Sequence, residues 1–353
     1  MHSDIFYTLE ILFMLFGILV ACQVFTNAIE NLGDKLSLGH EFTGSVLAAV
    51  GTALPETLLP LVAIFLATQN PEAAHVKNDI AIGAIIGAPF MLATLAFFLT
   101  GLSVLLHKEQ RQAAFKGAYD TEFLKINIPH LKRDLKYFLI TFAIGISVAY
   151  FPVLHHYSHY IAYSLLGLYV IYLYRTYQKS AEEVPDDEED ETHTPDLYFT
   201  QYFKLKSNML NIILQTLVGV IGIIYFAHHF IDAIEHIAHS ISLSPLILSL
   251  IISPIATELP EKVNTWLWAK DGKDTLALGN VTGAMVFQSA IPCFIGIMLT
   301  PWNLDRLSFI CASLAVISTT IIYAKVSLTN KLGYKTLLIT GSLYLVYLIL
   351  IFI

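Results

Sequence analysis

Charge is scarce in this chain, and over long stretches it is missing. Only 14% of the 353 residues are Asp, Glu, Lys or Arg, 56% are hydrophobic, and the mean hydropathy is +0.64. None of the four charged types occurs between Lys136 and Arg175, between Lys206 and Asp232, between Arg306 and Lys325, or after Lys335. Such gaps exclude the charged surface of a soluble globule, and each holds one or two bilayer spans of about 20 residues. Cysteine is equally sparse. Cys22, Cys293 and Cys311 all lie in apolar segments, and an odd number so placed supports neither a disulfide framework nor a thiolate metal site. They read as small buried hydrophobes. A basic leader is lacking too, since the chain starts Met1-His2-Ser3-Asp4, so the first apolar segment is expected to be a retained helix and not a cleaved signal peptide. The net charge of −8 comes largely from one acidic stretch and gives no reason to expect a nucleic-acid partner.

What is present is apolar and helical in its spacing. Uninterrupted apolar runs bounded by charges, Gly and Pro predict ten helices, near 5–31, 43–68, 79–106, 136–155, 159–178, 207–239, 244–270, 274–299, 306–325 and 334–353. The fold class expected is an all-α polytopic membrane protein in contact with lipid. The stretch from Ser180 to Thr194 carries eight acids between Glu182 and Glu191 and cannot bury itself, so it reads as a solvated linker. It divides the chain into a five-helix repeat over 1–178, a linker over 179–206 and a second five-helix repeat over 207–353.

The two halves repeat each other. An offset of 205 matches Glu56 to Glu261, Glu30 to Glu235, Ser37 to Ser242 and Leu38 to Leu243, and an offset of 196 matches Gly83-Ala84-x-x-Gly87-Ala88 to Gly279-Asn280-x-x-Gly283-Ala284. The second block is a Gly-x-x-x-Gly helix, suited to close helix approach. All of the 20 basic residues except Lys77, Arg306 and Lys262 fall on one side of ten crossings. The positive-inside rule then places both termini outside and the acidic linker in the cytoplasm. Five crossings per half invert the second half relative to the first, which is a transporter architecture with its site at the midplane.

The most informative repeat is Thr-x-Leu-Pro-Glu, at Thr52–Glu56 and again at Thr257–Glu261, each within a span. A carboxylate in hydrocarbon costs at least about 2.5 to 3.5 kcal/mol, so two matched copies point to a repeated ion site. Pro55 and Pro260 cannot donate to the carbonyls four residues back, those of Gly51 and Ala256, and a bound cation can satisfy such carbonyls. Thr52 and Glu56 share a helical face, as do Thr257 and Glu261, and Glu258 lies nearly on that face. Glu56, Glu258, Glu261, Thr52, Thr257 and the freed carbonyls form an all-oxygen set that suits a hard divalent cation, Ca²⁺ above all. Zinc and copper would want cysteine or histidine in the site. Three carboxylates around a divalent ion leave one negative charge over unless a proton or second cation is held, which makes proton coupling accessible.

These motifs resemble the two alpha repeats of the sodium/calcium exchanger family, within the cation/calcium antiporters, and the resemblance covers nearly the whole chain. It implies alternating-access exchange of Ca²⁺, or a related divalent cation, for Na⁺ or H⁺ as transported substrates, with no cofactor and no enzymatic activity. It makes Glu56 and Glu261 the central ligands and carries the motif threonines to Thr52 and Thr257. The family usually reads Gly-Thr-Ser-Leu-Pro-Glu, whereas here the serine positions are Ala53 and Glu258, and Ala256 replaces the second glycine. In the second block, the polar residue one turn on is Leu92 in the first half and Gln288 in the second. The site is therefore expected to be asymmetric, with Asn280 and Gln288 as second-half ligands and fewer sodium positions, a pattern that favours H⁺ over Na⁺.

Each residue also has a plainer reading. Glu258 can pair with Lys262 at i, i+4, and Asn280 can serve as a helix-to-helix hydrogen bond. His228, His229, Asp232, Glu235, His236 and His239 form a polar stripe that reads either as an ion path or as a helix end facing water, and Asn27, Glu30, Asn31 and Asp34 form an inner counterpart. The competing function for the whole chain is an uncoupled cation channel or a membrane ion sensor. No nucleophile pair or zinc-protease signature supports an intramembrane enzyme.

Overall fold

A computed structural model describes residues 2–36, 48–69, 73–114, 122–180 and 196–352. In the first half, α1 is His2–Lys35 and α2 is Ala48–Gln69. α3, Ala74–Met91, passes through a π turn at Leu92–Ala96 into α4, Phe97–Leu106. The short α5, Lys108–Ala114, precedes α6, Ile128–Tyr150, the single turn α7, Pro152–His155, and α8, Ser158–Ser180. The linker carries α9, Tyr198–Phe203, and the second half opens with α10, Met209–Ser240, followed by α11, Pro245–Thr257, and α12, Leu259–Lys270. It ends with α13, Asp274–Leu299, α14, Arg306–Thr329, α15, Tyr334–Gly341, and α16, Leu343–Ile351. With the short α5, α7 and α9 set aside, and α3 and α4, α11 and α12, and α15 and α16 each counted as one rod, the described residues form the ten rods that the apolar runs predict. The acidic segment 181–195 and the repeat residues Ser37 and Leu38 lie outside the described residues.

Helix starts are set by local chemistry. Asn127 accepts from the His130 amide at 3.2 Å and opens α6, Asn208 accepts from the Asn211 amide at 2.9 Å and opens α10, and Asp305 accepts from the Ser308 amide at 2.7 Å and opens α14. The prolines act less symmetrically than the repeat implies. α2 runs unbroken through Pro55 and Pro60, so the missing donor at the first motif proline does not end the helix. In the second copy Glu258 takes φ −102° and ψ 10°, ending α11 at Thr257, and Pro260 falls in the first turn of α12, where its missing N–H is harmless.

The halves interdigitate. α1 packs along α10 and α3 along α11, so the longest seams join the first half to the second. On the α3 side the Gly-x-x-x-Gly expectation holds, because a Cβ at Gly83 or Gly87 would overlap the Leu246 and Leu250 carbonyls of α11. On α13 it does not. A Cβ at Gly279 or Gly283 would meet nothing within 4 Å among the described residues, so those glycines seat no neighbouring backbone there. The outward faces of α1 and α10 expose Phe6, Leu9, Phe13, Phe16, Leu210 and Ile221, an apolar band that suits lipid and not water.

Polar clasps close both ends of the bundle. At one end Arg111 makes a bidentate pair with Asp274, both bonds 2.7 Å, and also bonds the Ala269 carbonyl, while the Lys125 amide donates to the same carboxylate at 2.7 Å. Arg111 and Asp274 are fully buried. At the other end Lys77 lies 2.9 Å from Asp232 and 3.6 Å from Glu235, and His236 stacks on Tyr7 with centroids 3.7 Å apart. The acids of the histidine stripe thus hold α10 to α3. Asn27, read as part of the inner polar stripe, bonds the Asp196 carbonyl, the Tyr198 amide and the Gln215 amide, fastening the end of the linker and α10 to α1.

Removing one partner of a buried pair leaves an uncompensated charge, at about 3–5 kcal/mol. Arg111→Ala is therefore expected to lower the apparent melting temperature in detergent by many degrees, with Arg111→Ala/Asp274→Ala recovering most of the loss. A thermal melt of both variants checks this.

Candidate cation site

The two motif glutamates are brought to the buried interior. Glu56, on α2 behind Pro55, is 5% exposed, and Glu261, on the first turn of α12, is 4% exposed. Neither carboxylate oxygen of Glu56, nor Oε2 of Glu261, has a hydrogen-bond partner among the described residues. Buried carboxylates without donors are unusual in folded proteins and point to a missing positive partner. α2 packs against α13 and α10, and α12 against α13, so the two helices that carry the glutamates share α13 as a neighbour. Glu56, Glu258 and Glu261 lie within electrostatic reach of one another and of Lys262, and Cys22 on α1 lies near Glu56 and Glu261.

The helix break places Glu258 in the same space. It is fully buried, accepting from the Gln288 amide at 3.2 Å through Oε1 and standing 3.4 Å from Lys262 Nζ through Oε2. Lys262 also donates to the Pro254 carbonyl at 2.9 Å. The plainer pairing that the i, i+4 spacing allows is thus realised, and Gln288 on α13 joins it. The Gln288 carbonyl oxygen remains without a partner among the described residues. Main-chain bonds from Glu258 N to Pro254 O and from Lys262 N to Glu258 O, each 3.2 Å, carry the ladder across the break.

The remaining sequence candidates divide. Thr257 is buried, and its hydroxyl returns to the Ser253 carbonyl at 3.3 Å. Asn280 donates to the Glu261 carbonyl at 3.2 Å and to Thr265 at 3.1 Å, the helix-to-helix bond its residue type allowed. Thr52 and Gly51 lie on helical backbone in α2, and Ala256 lies on α11, but their side chains are outside those described. Among the described residues no three His, Cys, Asp or Glu side chains are gathered tightly enough to chelate a metal ion together. The carboxylates share one buried region without forming a closed cage.

One row of polar groups escaped the motif reading. Ser249 and Ser253, two turns and one turn before Thr257, are buried, their hydroxyls 2.9 Å apart, and Ser249 donates to the Ile80 carbonyl of α3 at 2.7 Å. Hydroxyls at every fourth position of α11 run up to the break, and that spacing was the signal available. Asp134 on α6 is a second buried acid outside the motif. It pairs with Arg133 at 3.0 Å and accepts from Thr282 at 3.0 Å, on a face of α13 distinct from that of Asn280.

A partnerless buried carboxylate opposes folding unless a cation answers it. Glu56→Gln is expected to melt several degrees above the unsubstituted protein in chelator-treated detergent solution at pH 8. An unchanged or lower melting temperature would show that the Glu56 carboxylate is already satisfied.

Comparison with known proteins finds similar chains and similar folds. Residues 6–178 and 211–353 match the family described as sodium/calcium exchanger protein. The inner membrane protein YrbG of Escherichia coli (strain K12) is 21% identical over 266 residues, covering 75% of this chain and 71% of that one. The membrane protein MJ0091 of Methanocaldococcus jannaschii is 23% identical over 258 residues, covering 73% and 70%. Among solved structures, the H⁺/Ca²⁺ exchanger CAX aligns with a TM-score of 0.72 at 16% identity over 97% of this chain and 82% of its own. The sodium-calcium exchanger NCX_Mj aligns with a TM-score of 0.56 at 18% identity over 98% of each chain. Both likenesses concern the fold. Because the family match spans both halves and the paired motifs lie within it, this chain belongs to the sodium/calcium exchanger protein family, whose members are multi-pass membrane transporters and not enzymes.

Proposed function

We propose that the chain is a secondary antiporter that exchanges Ca²⁺, or a related divalent cation, for Na⁺ or H⁺ by alternating access at the region bounded by Glu56, Glu258, Glu261 and Gln288. The observation that carries this reading is the pair of buried motif carboxylates, one from each half, with oxygens that no described donor satisfies. A divalent ion supplies the missing partner, and hard oxygen ligands select it. Thr52, Thr257, the Gly51 and Ala256 carbonyls and Asn280 are the further oxygen donors we assign to the ion's path. The polar positions lost at Ala53, Ala88 and Leu92 favour H⁺ as the counter-ion, since a proton needs only a carboxylate. The cation is cargo, and the reading invokes no resident cofactor.

We place the chain in the cell membrane with both termini outside and the acidic linker in the cytoplasm, on the strength of the basic-residue count. The loops that this count assigns inside meet at one end of the bundle. Lys132 bonds Asn330 at 2.8 Å, Lys335 bonds Glu122 at 3.0 Å, and Arg111 pairs with Asp274.

In proteoliposomes, ⁴⁵Ca²⁺ uptake against an imposed Na⁺ gradient and, separately, against a pH gradient tests the function. Glu56→Gln and Glu261→Gln are each expected to reduce uptake at least 100-fold. Wild-type transport in both variants would refute the site, and Ca²⁺ flux that needs no counter-ion gradient would identify a channel.

A further inference from the structure

One thiol faces the ion site. Along α1 the buried side chains Ile11, Leu15, Ile18, Cys22 and Phe25 recur at alternating steps of four and three, a single helical face turned inward. On α2 the buried Leu59 and Ala63 stand one and two turns beyond Glu56, which puts all three on one face. Cys22, Leu59 and Ala63 belong to the same buried cluster, so the face of α1 that carries the thiol meets the face of α2 that carries the carboxylate. Cys22 is 6% exposed, and the charges of Glu56 and Glu261 both reach it. The other two cysteines differ. Cys293 fills space beside Gly145, and neither it nor Cys311 feels the charge of a motif glutamate. Both oxygens of Glu56 lack a partner among the described residues, so a carboxylate in need of a cation stands on the thiol's side of α2.

We propose that Cys22 is a soft ligand at the edge of the ion site, where thiophilic divalent cations bind between its sulfur and the Glu56 carboxylate and block exchange, a role that rests on the antiport reading above. Calcium is a hard ion that takes oxygen ligands, so it gains little from a thiol. A thiophilic ion gains a strong bond, because thiolate is its preferred donor. On binding, the S–H bond breaks, its electron pair forms the sulfur–metal bond, and the proton leaves to water. Nothing is oxidised or reduced. Such an ion enters as Ca²⁺ does, drawn by the same carboxylates, but its bond to α1 must break before it can leave. Cys22, Glu56 and Glu261 are not gathered tightly enough to chelate an ion together in this state, so Cys22 and Glu56 hold the metal as a pair and water completes its shell. One thiolate and one carboxylate also cancel a divalent charge, as a low-dielectric interior requires. The site thereby discriminates by ligand softness, through a residue on a helix that carries neither motif.

The test uses the intact chain with Cd²⁺ as the probe. In detergent, Cd²⁺ is expected to raise the ultraviolet sulfur-to-cadmium charge-transfer band, and excess Ca²⁺ is expected to suppress it, a readout that needs no variant. The band should vanish in Cys22→Ser, persist in Cys293→Ala/Cys311→Ala, and weaken strongly in Glu56→Gln, which keeps the thiol. In proteoliposomes, half-inhibition of ⁴⁵Ca²⁺ uptake by Cd²⁺ is expected to need a roughly 10-fold or more higher concentration in Cys22→Ser than in the unsubstituted protein, each measured against its own uptake. A band that survives Cys22→Ser, ignores Ca²⁺ or is unchanged in Glu56→Gln would overturn the Cys22 site, as would equal inhibition of the two proteins. A band that depends on Cys22 and Glu56 in a protein that moves no ⁴⁵Ca²⁺ under either gradient would instead overturn the antiport reading and leave the thiol site standing.

Discussion

The structure depends on keeping acids in a place that has no water to solvate them. Glu56, Glu258 and Glu261 are all less than a tenth exposed, in a chain whose outer surface is apolar. Each buried carboxylate has to be answered by a donor or a cation, or else removed from the fold. The molecule answers them unequally. Glu258 has an amide and an ammonium, Glu261 accepts from Asn280 at its main-chain carbonyl while its Oε2 has no described donor, and neither carboxylate oxygen of Glu56 has one. This gradation runs from an ion-paired carboxylate, whose Oε2 still lacks a hydrogen bond among the described residues, to an unpartnered one.

Other features keep the acids at that depth. The break at Glu258 turns a carboxylate inward without ending the rod, because the main-chain bonds at Pro254 and Lys262 bridge the gap. Close contact of α3 with α11 requires glycine at positions 83 and 87, and it brings the hydroxyl row of Ser249 and Ser253 against α3. Clasps at the two ends, Arg111 with Asp274 and Lys77 with Asp232, tie the half containing Glu56 to the half containing Glu261. These contacts hold two inverted halves around one region. The lack of a comparable seat at Gly279 and Gly283 gives the two sides of that region different packing.

Much of this architecture was legible in the residues. Charge-free runs set the ten rods, and the doubled Thr-x-Leu-Pro-Glu located Glu56 and Glu261, because bilayer burial makes a repeated acid conspicuous. What stayed hidden depended on neighbours distant in sequence. Pro55 and Pro260 are the same residue in the same motif, yet only Pro260 adjoins a break, since tertiary packing and not the imide decides where a helix yields. Asn27 looked like part of a polar stripe because its partners, Asp196, Tyr198 and Gln215, lie some 170 to 190 positions away. Arg111 and Asp274 carry no local sign of their pairing. For Asn280 and Glu258 the residue types allowed two uses, and only contact with α12 and α13 distinguished them.

The interleaving of the halves also bears on how the chain is made. α1 finds its long seam on α10, and α3 finds its on α11, so helices synthesised early wait for partners that leave the ribosome some two hundred residues later. At about 5–20 residues per second that interval is on the order of ten seconds or more. During it, the glycine faces of α3 and the Glu56 side of α2 stand in the bilayer without their final neighbours. Membrane quality control therefore has a defined window in which to act on this protein, and a chain interrupted before α10 would present it with an open seam.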